Sequence, residues 1–334
     1  MKQQRGVALL LVLITLALMA SVAALMTQST SRAYLYTQTL LTRQQARWYF
    51  RGAEQLVSRI LLQDLEDSPH KTSLAQYWAQ RNRLFPLDGA TLRGTVADAN
   101  ACFNLNALRQ SVASQEQDNH DRQPLPDRIF YQLLLNQGLE TSQAERVVNS
   151  LRDWLDADSQ ALSSGAEDEF YAALPLPYRA ANQMMLDVSE LRLVAGVDAR
   201  LYQSLLPFIC ALPVESLMIN INTLAREQAP LLAAILLNDL DVAQATALLE
   251  QRPVWGWDSS SEFIAQLEGV SAESQNVAKS TLVVNSEWFA LDAQIAVDDR
   301  VFSTQTLFHR EAKNVVVTRR SPGIWLYREG SSSP

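Results

Sequence analysis

The first 65 residues form one continuous helical pattern whose polarity changes along its length. Residues 7–31 carry no charge, and Leu, Ala, Val, Ile and Met dominate residues 7–26. An α-helix rises about 1.5 Å per residue, so about 20 apolar residues span the hydrocarbon core of a bilayer. The pattern therefore predicts a membrane-spanning helix over residues 7–27.

The helical pattern continues beyond the predicted membrane span in amphipathic form. Residues 27–65 contain no proline, and their apolar positions recur at spacings of three and four residues. That spacing predicts a helix with one buried face. Residues 66–89 include Pro69, Pro86 and Gly89, which predict a loop around a short helix at 74–83. Alternation from residue 90 onward predicts one or two strands, so residues 28–104 form a helix followed by the first strands.

The middle of the chain, residues 105–278, is predicted to be mostly helical and internally duplicated. Apolar-Asn-apolar-Asn occurs at 103–106 and again at 219–222. Each copy is followed by helical segments and then by Ser-Glu and Gly-Val, at 189–197 and 261–270. One internal duplication explains both repeats. We expect Asn106 or Asn222 to cap the helix that follows it, and Ser189 and Ser261 to do the same.

The pattern changes again near the end of the chain. Short segments rich in β-branched residues alternate between residues 288 and 319, which predicts antiparallel strands within 279–327. Residues 328–334 are polar and predicted to be a disordered tail. A helical block thus interrupts a helix-plus-sheet unit, which makes the predicted fold class α+β.

The N-terminus leaves three interpretations open. Lys2 and Arg5 precede the apolar run, and positive residues stay on the cytoplasmic side, so the bulk of the chain is expected outside the cytoplasm. The segment could be a secretory signal cleaved after Ala23, since Ser21 and Ala23 resemble a cleavage motif. It could be an uncleaved signal anchor. It could also be a prepilin-type leader that ends at Gly6.

Composition excludes some functions. The formal net charge of −8 and pI of about 5.0 argue against nucleic acid as a partner, because phosphate binding needs a basic face. The three histidines have no metal-site spacing, and G-x-S-x-G and P-loop motifs are missing, so we expect no enzyme. The two cysteines, Cys102 and Cys210, could form a disulfide in an oxidising compartment or remain as two buried thiols.

The densest chemistry is an acidic stretch at residues 153–169, which contains six carboxylates. Calcium takes six to eight oxygen ligands from carboxylates, carbonyls and water. Gly165 permits a turn that brings the second half of the stretch back to the first. The spacing is not that of an EF-hand, and a solvated acidic loop is the alternative interpretation.

Together these features resemble one family. The leader ending in Gly6, the apolar helix, Asp-Trp-Leu-Asp-x-Asp at 153–158 and Gly-Ala-Glu-Asp-x-x-Tyr at 165–171 resemble the minor pseudopilin K family of the type II secretion system. The resemblance implies a pilin-like fold: a long N-terminal helix packed on a small antiparallel sheet, with a large all-α insertion between the strands.

The resemblance also implies a structural calcium ion. The expected ligands are carboxylates, together with a backbone carbonyl from the turn that joins the two halves of the motif. The implied carboxylate ligands are Asp156, Asp158, Glu167 and Asp168, with Asp153 and Glu169 as further candidates. Gly165 or Ala166 is expected to contribute the carbonyl.

The implied function is structural. Cleavage between Gly6 and Val7 and N-methylation of Val7 would leave a single-pass inner-membrane protein with a cytoplasmic N-terminus and a periplasmic body. It would join minor pseudopilins I and J at the pseudopilus tip, which it caps or initiates for export across the outer membrane, and touch secreted substrate or the outer-membrane secretin. Leu11, the fifth mature residue, replaces the glutamate of most pilin-like proteins, which suits a subunit with no neighbour above it.

Two other functions remain as alternatives. The first is a soluble periplasmic calcium-stabilised binding protein that signal peptidase releases. The second is a nucleic-acid-binding protein of DNA uptake, suggested by the Gly-Val turns, which resemble helix-hairpin-helix units.

Overall fold

The computed structural model describes residues 4–80, 83–113, 123–297, 300–312 and 314–322. The helices are α1 (Gln4–Asp67), α2 (Leu125–Asn136), α3 (Thr141–Leu155), α4 (Asp168–Ala172), α5 (Ala199–Leu205), α6 (Ala229–Ile235), α7 (Val242–Glu250), α8 (Ser260–Ile264) and α9 (Ala272–Thr281). The strands are β1 (Arg83–Leu87), β2 (Ala90–Asp98), β3 (Phe103–Asn104), β4 (Ile209–Cys210), β5 (Ile219–Asn220), β6 (Leu282–Val283), β7 (Trp288–Val297), β8 (Arg300–Glu311) and β9 (Asn314–Pro322).

Helix α1 dominates the molecule. It runs for 64 residues without a break, and its segment from Val7 onward is long and apolar enough to cross a membrane. The side chains of the apolar half are exposed, whereas the second half buries one face that includes Ala53, Val57 and Leu61. This division follows the two polarity patterns of the sequence.

The buried face of α1 packs on a five-stranded sheet of order β1-β2-β7-β8-β9, in which all neighbours are antiparallel. Phe289, Ile295 and Phe308 project from the sheet into the shared core. The chain leaves the sheet after β2 and returns at β7, so the helical region is an insertion between strands. The predicted α+β fold, a long helix on a small antiparallel sheet with a helical insertion, is confirmed.

The first edge of the sheet differs from the prediction. The helix expected at 74–83 is a single 3-10 turn, Tyr77–Ala79, and the loop that followed it contains strand β1. Pro86 suggested a loop, but β1 is an edge strand, and proline is tolerated there because its missing N–H can face solvent instead of a neighbouring strand. Gly89, with φ of +67°, makes the tight turn into β2.

The insertion contains the same arrangement twice. Asn106 exchanges two hydrogen bonds with the backbone of Met185, and Asn222 exchanges two with the backbone of Trp257. In both copies this backbone partner lies five residues before the Glu of the Ser-Glu motif. The first copy closes by parallel pairing of β3 with β4, the second by parallel pairing of β5 with β6.

The predicted caps of the repeats are wrong by two residues. Asp187, and not Ser189, caps the 3-10 helix Val188–Leu193, and Ser259, and not Ser261, caps α8. Asn106 and Asn222 do not cap helices either, because their side chains join distant backbone segments. Short polar side chains serve both purposes, so the sequence alone did not separate them.

A buried polar network joins the insertion to the sheet. Asn220 donates to the carbonyl of Thr72, to Asp98 Oδ2 and to Ser286 Oγ. Arg310 donates to Thr72 Oγ1 and to the Ser286 carbonyl. Burial raises the pKa of Asp98, and hydrogen bonds from Ser286 lower it in part. The network fixes the point at which the helical block leaves the pilin-like part.

A disulfide between Cys102 and Cys210 ties the two ends of the first repeat together. The predicted tail at 328–334, the end of the predicted strand region at 323–327 and the first three residues of the predicted leader lie outside the described residues.

Candidate metal centre

The end of α3 positions the first half of the acidic motif. Leu151 and Leu155 are fully buried on this helix, and Trp154 packs edge-on against Tyr171 and Tyr178. The helix ends at Leu155, and Asp156 occupies the C-cap position, where its N–H still bonds the Arg152 carbonyl. A carboxylate at a helix C-terminus faces the negative end of the dipole, which is unfavourable without a compensating cation.

The chain then returns to the same place. Glu167 is the N-cap of α4, where its carboxylate accepts the N–H of Asp168. Tyr171, one turn along α4, is buried against Trp154, and its hydroxyl oxygen accepts a hydrogen bond from the Ala195 backbone N–H. The aromatic contact between α3 and α4 therefore brings Glu167 beside Asp156.

Three carboxylates meet at this point. One oxygen each from Asp156, Asp158 and Glu167 lies within 4.8 Å of the others. Asp156 and Glu167 are buried, and Asp158 is exposed. Within the described part of the chain, Asp156 Oδ1 and Glu167 Oε1 are buried without a hydrogen-bond partner. Buried acceptors without donors are costly, so the arrangement favours a cation or a bound proton at this point.

The pKa values of Asp156 and Glu167 also show that their charged forms are unfavourable without a cation. Burial, the larger cause, and the neighbouring charge of Asp158 together raise the pKa of Asp156 to about 6. Burial raises the pKa of Glu167 to about 7, with added repulsion from Asp153 and Asp156. With these pKa values and no cation, Glu167 is about half protonated near pH 7 and Asp156 near pH 6.

Gly165 and Asp153 have a supporting role. Asp153 is fully buried, and its carboxylate accepts the N–H of Leu162. A Cβ at Gly165 would lie 2.0 Å from Asp153 Oδ2, so this position has no room for a side chain. Asp153 therefore stabilises the loop through the Leu162 N–H, and the missing side chain of Gly165 lets the backbone lie close to the Asp153 carboxylate. Burial raises the pKa of Asp153 to about 7.

The remaining predicted carboxylate ligands lie outside the group of three. Asp168 Oδ1 accepts the N–H of Ala180, and Glu169 is exposed on α4. The carbonyl ligand from Gly165 or Ala166 stays a prediction. The structure thus brings together Asp156, Asp158 and Glu167 of the predicted carboxylates and directs Asp168 to the following loop.

Asn182 is a residue that the sequence reasoning missed. Its N–H bonds the Trp154 carbonyl, and its Oδ1 is buried with no hydrogen-bond partner among the described residues. Its φ of +49° is a left-handed conformation, which Asn tolerates better than most residues. A lone asparagine in a loop gave no signal in the sequence.

The residues fit a calcium ion. The group offers oxygen donors only, from a buried pair and one exposed carboxylate, which is the chemistry that a hard cation such as calcium takes. Arg152 lowers the pKa of Asp156 only in part, and its Nη1 also forms an ion pair with the buried Asp127, at 3.0 Å.

Comparisons with known proteins agree with this architecture. Two family models, both described as type II secretion system (T2SS), protein K, match residues 101–214 and 219–285, which are the two repeats. Type II secretion system protein K of Pectobacterium carotovorum is 46% identical over 324 residues, covering 96% of this chain and 97% of the relative. That of Klebsiella pneumoniae is 42% identical, covering 97% and 98%.

A solved structure is similar over most of the fold. The crystal structure of the GspK-GspI-GspJ complex from the enterotoxigenic Escherichia coli type 2 secretion system contains a chain with 35% identity and a TM-score of 0.79. The similarity covers 86% of this chain and 99% of that one.

Proposed function

Because the chain belongs to the protein K family of the type II secretion system, and is thus a minor pseudopilin, we propose that it caps or initiates the tip of the pseudopilus. The observation that carries the proposal is the placement of a bulky, doubly repeated helical block on an otherwise pilin-like helix and sheet. Such a block would prevent a further subunit from stacking above it.

The N-terminal helix supports the membrane part of the proposal. Helix α1 fits a single-pass anchor, and Lys2 and Arg5 lie before the apolar run. The positive-inside rule then puts the N-terminus in the cytoplasm and the body in the periplasm. Prepilin processing between Gly6 and Val7, with N-methylation of Val7, would release the helix for entry into the filament.

Leu11 supports the tip position. It is the fifth residue after the proposed cleavage, and its side chain is apolar and exposed on α1. A carboxylate in an apolar medium is costly unless a neighbour supplies a positive group. A subunit with no neighbour above it has no use for such a carboxylate.

The proposed direct partners are minor pseudopilins I and J. The similar GspK chain was crystallised with GspI and GspJ, and this chain shares its fold over 86% of its length. Secreted substrate or the outer-membrane secretin would then meet the helical block, which is joined through Asn220 to Thr72, just beyond the C-terminal end of α1.

The metal centre would be structural. Asp156, Asp158 and Glu167 would hold a calcium ion, with a carbonyl of Gly165 or Ala166 and the nearby Asp168 and Asn182 as further oxygen donors. Calcium supplies the positive charge that these carboxylates lack. Two contacts hold the loop between α3 and α4: the buried packing of Trp154 against Tyr171, and the hydrogen bond from the Leu162 N–H to the Asp153 carboxylate.

The test is the position of the protein in sheared pseudopili. An epitope tag fused to the C-terminus of the chain, detected with gold-labelled antibody, is expected at one end of each filament. Label distributed along the filament shaft would contradict the tip assignment. Co-expression of the full chain with subunits I and J should yield a ternary complex in detergent.

A further inference from the structure

A pocket of about 770 Å³ opens where the C-terminal end of α1 lies beside the end of β8 and the segment before β7. Leu62, Leu65 and Pro69 line it from the α1 side, and Arg310 and Glu311 line it from β8. Its volume is within the range of sites that enclose drug-sized ligands. None of its lining residues belongs to the metal centre.

Arg310 is a buried cation in the lining of this pocket. It is 5% exposed, its Nη2 donates to Thr72 Oγ1 and to the Ser286 carbonyl, and its guanidinium carbon lies 4.8 Å from the centre of the Phe289 ring. These contacts hold the guanidinium in one orientation. Its Nη1 is buried and has no hydrogen-bond partner among the described residues. A buried donor without an acceptor is costly, so the pocket favours an occupant that brings an oxygen atom to Nη1.

Three carboxylates line the same pocket. Glu66, Glu287 and Glu311 are all exposed, and among the described residues none of them accepts a hydrogen bond. His309 approaches two of them, but its ring nitrogens lie 3.8 Å from the Glu287 carboxylate and 3.7 Å from that of Glu311, which is too far for a hydrogen bond. Three negative charges against the one of Arg310 favour a positively charged occupant.

The three glutamates do not converge as metal ligands do. In the part of the chain that the structure describes, the side chains that bring three ligand atoms within 4.8 Å of one another are those of Asp156, Asp158 and Glu167. The glutamates of the pocket are therefore more widely spread. A planar, delocalised cation with several N–H donors suits such a spread better than a single metal ion.

Aliphatic side chains form much of the remaining lining, from Leu62 and Leu65 on α1 and from Ala312 after β8. An arginine residue within a peptide matches the whole pocket. Its stem is aliphatic, its guanidinium pairs with carboxylates, and its backbone supplies carbonyl oxygens.

We propose that this pocket binds an arginine side chain of a partner polypeptide. The guanidinium lies among Glu66, Glu287 and Glu311, the stem packs on Leu62, and a backbone carbonyl of the same peptide accepts a hydrogen bond from Arg310 Nη1. The proposal does not rest on the tip position.

The position along α1 favours a polypeptide over a lipid. A phosphoethanolamine headgroup also carries a cation and an oxygen acceptor. Glu66, however, lies 35 residues beyond Ser31, where the uncharged segment ends. At about 1.5 Å per residue, the pocket is about 50 Å beyond that point, which a headgroup in the same membrane does not reach.

The test measures peptide binding to the full chain in detergent. The probe is the fluorescein-labelled peptide Gly-Ser-Leu-Arg-Leu-Ser-Gly, and its control carries citrulline, which has nearly the same shape without the charge. Fluorescence anisotropy should show that the arginine peptide binds about fivefold or more tightly than the citrulline peptide. E287Q/E311Q should remove most of this preference. The matched control, E227Q/E268Q, removes two exposed glutamates of the second repeat and should leave it unchanged.

The outcomes separate binding from folding. The substituted glutamates are exposed, so both double variants should melt within about 2 °C of the wild type. Equal binding of the two peptides by the wild type would overturn the proposal, and so would an unchanged preference in E287Q/E311Q. Binding of neither peptide would also overturn it and leave a water molecule as the acceptor for Arg310.

Alkylation locates the bound peptide. The native cysteines are paired with each other, so Ala312→Cys gives the chain one free thiol at the pocket. With an N-terminal bromoacetyl group, the arginine peptide should alkylate this thiol about fivefold or more faster than the citrulline peptide at equal concentration. Equal rates for the two peptides would show that the arginine is bound elsewhere and overturn the assignment.

Discussion

Replacing Glu167 by Gln should have opposite effects on stability with and without calcium. Glu167, Asp156 and Asp158 have oxygens within 4.8 Å of one another. Two charges 4.8 Å apart repel by about 3.5 kcal/mol at an effective dielectric constant of 20, and the exposure of Asp158 reduces its share. Without a cation the amide removes repulsion, so the variant should be more stable than the wild type in chelator.

With calcium the order should reverse. Calcium at 100 times its dissociation constant stabilises the folded state by about 2.7 kcal/mol. For a domain of 150–250 residues each kcal/mol shifts the melting temperature by about 2–4 °C, so saturating calcium should raise that of the wild type by about 5–11 °C. The variant should lose most of this increase, because it lacks one charged ligand.

Scanning calorimetry of the purified chain in EDTA and in calcium measures both effects. Glu169→Gln is the matched control, because Glu169 is an exposed carboxylate of the same motif outside the group of three. The reasoning is refuted if wild-type melting is the same in EDTA and calcium, or if Glu169→Gln behaves like Glu167→Gln.

The pH dependence follows from the same groups. The pKa values of Asp156 and Glu167 rise from 3.8 and 4.5 to about 6 and about 7 through burial. The folded state without calcium therefore binds more protons than the unfolded state between about pH 4 and 7, and its stability should fall as the pH rises through that range. Calcium displaces these protons, so the calcium-induced rise in melting temperature should grow with pH.

Three further substitutions test the structure. Gly165→Ala places a Cβ against Asp153, so it should destabilise the loop by about 1–3 kcal/mol and reduce the calcium effect in calorimetry. Replacing Cys102 and Cys210 by Ser removes a crosslink between residues 108 positions apart, and urea unfolding should show a loss of about 2–5 kcal/mol. Asn220→Ala leaves several buried partners unpaired, and urea unfolding should show a loss of about 3 kcal/mol or more.

Features with long-range periodicity were predictable from the sequence. The membrane span and the amphipathic continuation of α1 follow from polarity alone, and strands β8 and β9 follow from alternation. Strand β1 was not predictable, because Pro86 and Gly89 are loop signals unless the strand lies at an edge. Only the antiparallel pairing with β2 shows that it does.

The candidate site, too, was predictable from the sequence only in part. The sequence located the site, because six carboxylates within 17 residues form a dense acidic motif. Which oxygens converge depends on the Trp154–Tyr171 contact, a tertiary feature. That contact sets Glu167 beside Asp156, whereas Asp168 accepts the Ala180 N–H instead. Asn182, on a separate loop, bonds the Trp154 carbonyl through its backbone N–H.

The central claim is that α1 is a processed filament helix. Mass spectrometry of the mature protein purified from membranes tests it most directly. A polypeptide that begins at Val7, carrying one N-methyl group, is the result predicted for a pseudopilin released from its leader. A mature N-terminus near Ala24 would show cleavage by signal peptidase, leave the body soluble and contradict the account.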